Sequence, residues 1–192
     1  MRTGIGWLGA GALVVAAGLP GLAGPAAAQI NPQALQQVKA QAAKAGANLQ
    51  KYTSVQGAAA AGVDVGARKA WAAALMAPGP QAQARAGFIT APISVGSSVA
   101  GAKVKATFNV SERVGGTTMV VVDVRRSGTP GTIAVKEGWV TSTGTLTVMT
   151  DPFTLQAGAP YEARAYLYAW AHGTGSEVRA LVATISDIKW EF

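Results

Sequence analysis

The sequence has no cysteine and a single histidine among its 192 residues. Without cysteine the chain forms neither disulfides nor thiolate metal sites, and thiol catalysis is excluded. The histidine, His172, lies in a glycine-rich stretch, and no Gly-x-Ser-x-Gly motif accompanies it to indicate a serine hydrolase. We therefore expect a protein without a catalytic site, a bound metal or a cofactor.

Acidic residues are also scarce, with nine Asp and Glu against sixteen Lys and Arg, which gives a formal net charge of +7. Most acidic residues fall at predicted strand ends or outward positions, where charges are ordinarily solvated rather than catalytic. A basic protein is attracted to anionic polymers and lipid head groups. Because the basic residues are scattered, with only Arg68 and Lys69 and Arg125 and Arg126 adjacent, and form no stripe, we do not expect nucleic acid as a partner.

Long apolar runs are missing after the first thirty residues, and a membrane-spanning helix needs about 20 apolar residues. Residues 1–28 combine Arg2, an apolar Gly- and Ala-rich run, and the small residues Ala26, Ala27 and Ala28. This is the pattern of a secretory signal peptide. We expect cleavage before Gln29 and an exported bacterial protein, either periplasmic or extracellular.

A shift in composition divides the remaining chain into two parts. Residues 29–76 are rich in Ala and Gln and predict a helical appendage with two helices, at about 32–52 and 65–76. The Pro- and Gly-containing stretch 77–87 predicts a linker. From 88 to 192, Val, Thr and Ile increase and turn signals separate six or seven short runs, which predicts an antiparallel β-sandwich.

The first predicted helix carries a narrow apolar seam at spacings of three and four residues. The seam consists of Leu35, Val38, Ala42, Ala45, Leu49 and Tyr52. Its width suits contact with one partner surface, which belongs either to this chain or to another copy. Homo-oligomerisation through the seam is therefore one expectation.

One stretch within the predicted sandwich resembles a known structural motif. Leu155, Gly158 and Tyr161 have a spacing similar to that of the tyrosine corner in fibronectin type III and immunoglobulin-like sandwiches. The resemblance implies that Tyr161 faces the core and forms a hydrogen bond to a backbone group a few residues upstream. It also implies that the fold is a sandwich of that type.

The strand that follows the corner has an unusual outward face. Strict alternation from Tyr161 places large side chains on the face opposite the core. These outward residues are Arg164, Tyr166, Tyr168 and Trp170. An exposed aromatic row suits stacking with sugar rings or contact with a protein, and Trp139 is a further candidate for the same surface. The alternative is that the N-terminal helices lie across the row and bury it.

These observations favour an exported, non-enzymatic binding module at the bacterial cell envelope. Its ligand would be a glycan or an envelope protein, bound through the aromatic strand face. The alternative function is a structural subunit of a surface or secreted assembly, in which the helix seam joins copies.

Overall fold

The computed structural model describes residues 31–192, which form two antiparallel sheets and the helix α1. The predicted signal peptide lies outside these residues. The elements in chain order are α1 (Pro32–Ala47), β1 (Leu49–Gln56), β2 (Ala59–Asp64), β3 (Lys69–Leu75), β4 (Ala82–Thr90), β5 (Ile93–Ser94), β6 (Val99–Val114), β7 (Thr118–Arg126), β8 (Ala134–Trp139), β9 (Gly144–Met149), β10 (Phe153–Leu155), β11 (Pro160–Ala171) and β12 (Val178–Glu191).

The two sheets pack face to face, which confirms the predicted antiparallel β-sandwich. The first sheet has the strand order β1-β4-β11-β7-β8, and β5 also pairs with β11. The second has the order β10-β6-β12-β3-β2, and β9 also pairs with β6. The corner strand β11 therefore occupies the centre of the first sheet, with β4 on one side and β7 on the other.

The layer between the sheets contains many small side chains. Fully buried alanines line the inner faces of the central strands, among them Ala70, Ala72, Ala74, Ala84, Ala86, Ala163, Ala165, Ala169 and Ala183. Phe88, Phe108, Leu167, Leu181 and Ile185 add the larger buried volume. Because the inward side chains of β11 are mostly alanines, most of its large side chains lie on the outer face of the first sheet.

The N-terminal third differs from the helical appendage that composition predicted. The helix ends at Ala47, and Leu49 and Tyr52 lie on β1. The prediction of a second helix at about 65–76 is wrong, because this stretch forms a turn and then β3. Alternate alanines of β3 are buried between the sheets, so packing overrides the helix propensity of alanine. The predicted linker, 77–87, overlaps β4, which pairs with both β1 and β11.

The apolar seam of α1 packs against its own chain. Val38, Ala42 and Ala45 are buried in the common core, and the helix contacts β12 and β5. A Cβ atom at Gly46 would lie 2.7 Å from the carbonyl oxygen of Ile188, so glycine allows the helix to approach β12 closely. Across residues 31–192, no helix combines the length and apolar character that a membrane span requires.

Candidate functional site

The corner that precedes β11 is closed by a side chain-to-backbone hydrogen bond. The backbone N–H of Gln156 donates to the hydroxyl oxygen of Tyr161 at 2.7 Å, and the Tyr161 side chain is buried. Gly158 has φ +73°, a conformation that favours glycine, and Leu155 is fully buried. This corner fixes where β11 begins and which of its residues face outward.

The outward row of β11 lies on the outer face of the first sheet. Cross-strand pairing places Arg85 and Gly87 of β4 beside Tyr168 and Tyr166. On the other side, Met119 of β7 pairs with both Tyr168 and Trp139. The row is not covered by N-terminal helices, because α1 packs mainly against β12 and β5. That alternative is therefore wrong, although Tyr52 of β1 covers one end of the row.

The covered end of the row contains a buried ion pair. Arg164 and Asp123 are only 6% and 1% exposed, and the Arg164 Nε donates to Asp123 Oδ1 at 2.7 Å. The Arg164 Nη2 donates to Asp123 Oδ2, which gives the bidentate geometry that arginine prefers with a carboxylate. The Tyr166 hydroxyl donates to the same Oδ2 at 3.3 Å, and Arg125 Nε lies 3.8 Å from Oδ1. Asp123 thus holds Arg164 and Tyr166 in place.

Burial also raises the pKa of Tyr166 in this cluster. Tyr166 is 7% exposed, and removal from water raises the pKa of its phenol above the ordinary value, with the nearby Asp123 carboxylate adding to the rise. A phenol is neutral at physiological pH even at its ordinary pKa of about 10, and the raised pKa lets Tyr166 keep its proton, and its hydrogen bond to Asp123, to a higher pH.

A glycine lets two tyrosines meet above the sheet. Gly87 lies between Tyr52 and Tyr166 in the strand register, and the two ring centroids are 5.3 Å apart in an edge-on arrangement. The Arg164 guanidinium carbon is 4.7 Å from the Tyr52 centroid. A Cβ atom at Gly87 would lie 2.1 Å from the Ala165 carbonyl oxygen, so only glycine fits this position without moving the backbone. Tyr52, Tyr166, Arg164 and Asp123 together close this end.

The open end of the row is a continuous stack of rings. Tyr168 and Trp170 stack with centroids 5.0 Å apart, and Trp170 meets Trp139 at 5.6 Å in an edge-on contact. The Arg85 guanidinium carbon lies 5.0 Å from the Tyr168 centroid. Trp139 is 57% exposed, whereas Tyr168, Trp170 and Arg85 are half-buried. We call Arg85, Tyr168, Trp170 and Trp139 the aromatic ridge.

The ridge is a smaller candidate site than the sequence predicted. The structure brings Tyr168, Trp170 and Trp139 together, but it buries Arg164 and Tyr166 too deeply for either to contact a ligand directly. The rings of Tyr168 and Trp170 stack on each other, so they offer edges and part of their faces rather than a flat platform. Trp139, on the last strand of the sheet, provides the most accessible ring.

Sequence reasoning missed three residues that build this face. Arg85 lies in the stretch predicted to be a linker, and Tyr52 in the stretch predicted to be helical. Asp123 departs from the predicted pattern of solvated acids, because it is a lone carboxylate within the apolar run of β7. An acid in a buried strand needs a partner, so this pattern could have indicated the ion pair.

The structure gives no catalytic or metal-binding arrangement to the other residues considered in the sequence. His172 is exposed in the loop after β11. Within residues 31–192, no group of three or more His, Asp or Glu side chains is arranged to hold a metal ion. Of the seam residues, Leu35 and Leu49 also pack partly against the core, so the seam faces the interior of its own chain.

Comparison with known proteins identifies no family for this chain. No family model matches the sequence, and a search of curated proteins returns no match. A two-sheet sandwich occurs in many proteins of unrelated function, so the fold alone does not assign an activity. The geometry of the aromatic ridge therefore carries the functional inference.

Proposed function

We propose that this protein is an exported, non-enzymatic binding module of the bacterial cell envelope that binds glycans through the aromatic ridge. Export is supported by the signal-like pattern of residues 1–28. We further propose that the sandwich is of the fibronectin type III or immunoglobulin-like type. The support for this is the corner of Leu155, Gly158 and Tyr161 with its hydrogen bond to Gln156.

The observation that carries the glycan proposal is the exposed ring of Trp139 at one end of a pre-formed aromatic stack. The Trp139 indole, more than half exposed beside Trp170 and Tyr168, extends the ridge into a contiguous apolar surface of the kind that marks binding sites. The apolar face of a sugar ring fits such a surface, while its hydroxyls remain hydrated. The polar side chain of Gln83, opposite Trp170 in the register, offers hydrogen bonds at the edge.

Pre-organisation strengthens this proposal. The ridge side chains are held by ring stacking, and the Asp123–Arg164 pair fixes the neighbouring end of the row. Because these side chains are already ordered, binding would lose little rotamer entropy, which otherwise costs about 0.5–1.5 kcal/mol per side chain.

The test is the binding of immobilised polysaccharides by Trp139→Ala, with Trp71→Ala as the matched control. Trp71 is 42% exposed on the outer face of the second sheet, so both substitutions remove an accessible indole. We expect Trp139→Ala to lower affinity about tenfold or more, equivalent to about 1.4 kcal/mol, and Trp71→Ala to leave it unchanged. Affinity electrophoresis in neutral and acidic polysaccharides measures this. Equal losses in both variants, or no retardation of the parent protein, would exclude the ridge as a glycan site.

A second candidate function is a protein contact at the same edge of the first sheet. Within residues 31–192, β8 pairs only with β7, and Val135 and Trp139 are both at least half exposed on its outer face. An edge strand with exposed apolar side chains can pair with a strand of another molecule. Sedimentation over a wide concentration range, with Val135→Lys as the disrupting variant, tests self-association. The seam of α1 no longer supports an assembly, because Val38, Ala42 and Ala45 are buried within one chain.

A further inference from the structure

Arg85 differs from Arg164 and Arg125, the arginines of this face that contact Asp123, in having no acidic partner. Arg164 is neutralised by Asp123, whereas among residues 31–192 no carboxylate forms an ion pair with Arg85. On the outer face, the side chains beside Arg85 are uncharged: Ser54 and Tyr168 oppose it in the register, and Gln83 precedes it on β4. The aromatic ridge therefore carries one uncompensated positive charge.

The surroundings of Arg85 restrain its guanidinium group. Its carbon lies 5.0 Å from the Tyr168 centroid, at a distance typical of a cation–π contact. The half-buried side chain is thus ordered before any ligand arrives. A guanidinium held in this way presents its N–H groups as a fork, which fits an oxyanion such as a carboxylate through two parallel hydrogen bonds.

The ridge places this cation in line with the exposed indole. Arg85, Tyr168, Met119 and Trp139 occupy directly opposed positions on four neighbouring strands. Strands are about 4.8 Å apart, so Arg85 and Trp139 are separated by about 14 Å. One extended chain could therefore contact both, with a charged group at one end and an apolar ring face at the other.

We infer that the ligand of the ridge is an acidic polysaccharide containing uronic acid units, with a carboxylate bound by Arg85 and a sugar ring packed against Trp139. This inference rests on the proposed glycan-binding function. The net charge, +7 for the full sequence and +6 without Arg2 of the predicted signal peptide, adds a long-range attraction to such a polyanion, but within the ridge only Arg85 provides a site for the carboxylate.

The experiment compares polygalacturonate with its fully methyl-esterified form, which has the same sugar backbone and no carboxylate charge. Binding of both polymers is measured by calorimetry for the parent protein, Arg85→Gln, Arg85→Lys and Lys69→Gln. Lys69 is exposed on the second sheet, so Lys69→Gln removes the same charge at a distant place. Thermal unfolding of each variant establishes that it is folded.

We expect the parent protein to bind polygalacturonate at least tenfold more tightly than the ester. Arg85→Gln should lose most of that preference, because only the long-range attraction of the net charge remains, whereas Lys69→Gln should keep the preference. Arg85→Lys, which retains the charge without the fork, should fall between them. Equal parent affinities for the two polymers, or equal losses in Arg85→Gln and Lys69→Gln, would overturn the inference and leave the glycan proposal standing. If neither polymer binds, both proposals fail for this ligand class.

Discussion

The outer faces of the two sheets use glycine and aromatic residues in the same way but with different results. On the first sheet, Gly87 leaves a space into which Tyr52 and Tyr166 close from both sides. On the second, Gly62 leaves a space for Trp71 alone, and a Cβ atom at Gly62 would lie 2.4 Å from the indole Nε1. In the first arrangement Tyr166 is only 7% exposed and Tyr52 is half-buried, whereas Trp71 remains 42% exposed.

The difference shows that an aromatic side chain over a glycine builds a buried cluster only when neighbouring strands contribute to it. On the first sheet, Met119 and Val121 pack against Tyr166, and Arg164 lies over Tyr52. The alanine-rich inner layer leaves the bulk of β11 on the outside, so this face acts as a second, smaller core. The aromatic ridge stands on that core and gains its order from it.

The strongest test of this comparison is the same amide substitution in one ion pair on each face. Asp123→Asn leaves the buried Arg164 charge without its counter-charge, which typically costs about 3–5 kcal/mol. Glu191→Gln breaks the Lys105–Glu191 pair on the second sheet, whose side chains are 36% and 41% exposed, so we expect a loss of at most about 1 kcal/mol. Urea unfolding measures both. If the two variants lost similar amounts of unfolding free energy, the outer face of the first sheet would not be a buried core.

The sequence predicts the sandwich well where one face of a strand is polar. Alternation from Tyr161 onward correctly separates the inner and outer residues of β11, because each face meets a different environment. It fails between residues 49 and 87, where alanine and glycine dominate. Alanine favours helices in isolation, but in β3 it is selected for the narrow space between two sheets, and that space exists only in the folded protein.

The candidate site was predictable only in part, for a similar reason. Alternation identifies the row on β11, and Trp139 was a reasonable addition. The sequence does not show which outward side chain lies opposite a glycine on the neighbouring strand. This strand register places Tyr166 over Gly87, so Tyr166 is buried while Trp139 is not. Arg85 could not be assigned to the site before its strand was recognised.

The glycines themselves provide the next test. Gly87→Ala brings a Cβ atom to 2.1 Å from backbone at Ala165, so the strands must move apart, and overpacking of this kind typically costs about 1–3 kcal/mol. In Gly62→Ala the three atoms nearest to the new Cβ all belong to the Trp71 indole, which can move toward solvent. Replacing a strand glycine by alanine also raises the free energy of unfolding by about 0.5–1 kcal/mol, because alanine loses less backbone entropy on folding. In Gly62→Ala this gain offsets much of the cost of moving the indole. We expect unfolding free energies to separate the two variants by at least 1 kcal/mol; equal values would show that the strands around Gly87 yield as easily as an exposed indole.

The smallest effect is a dependence on alkaline pH that arises from the first face. The pKa of Tyr166 is raised in the folded protein by burial and by the Asp123 carboxylate, whereas in the unfolded chain the phenol titrates near its ordinary value of about 10. Below that pH the phenol is protonated in both states and its contribution is complete. As the pH rises further, the unfolded state loses the proton and the folded state keeps it, so the free energy of unfolding falls by up to about 1.4 kcal/mol per pH unit. Tyr166→Phe removes this titration, and the difference between the pH profiles of the two proteins from pH 9 to 11.5 isolates it. Parallel profiles would mean that water reaches the Tyr166 hydroxyl, and the cluster beneath the ridge would then be as open as the face that carries Trp71.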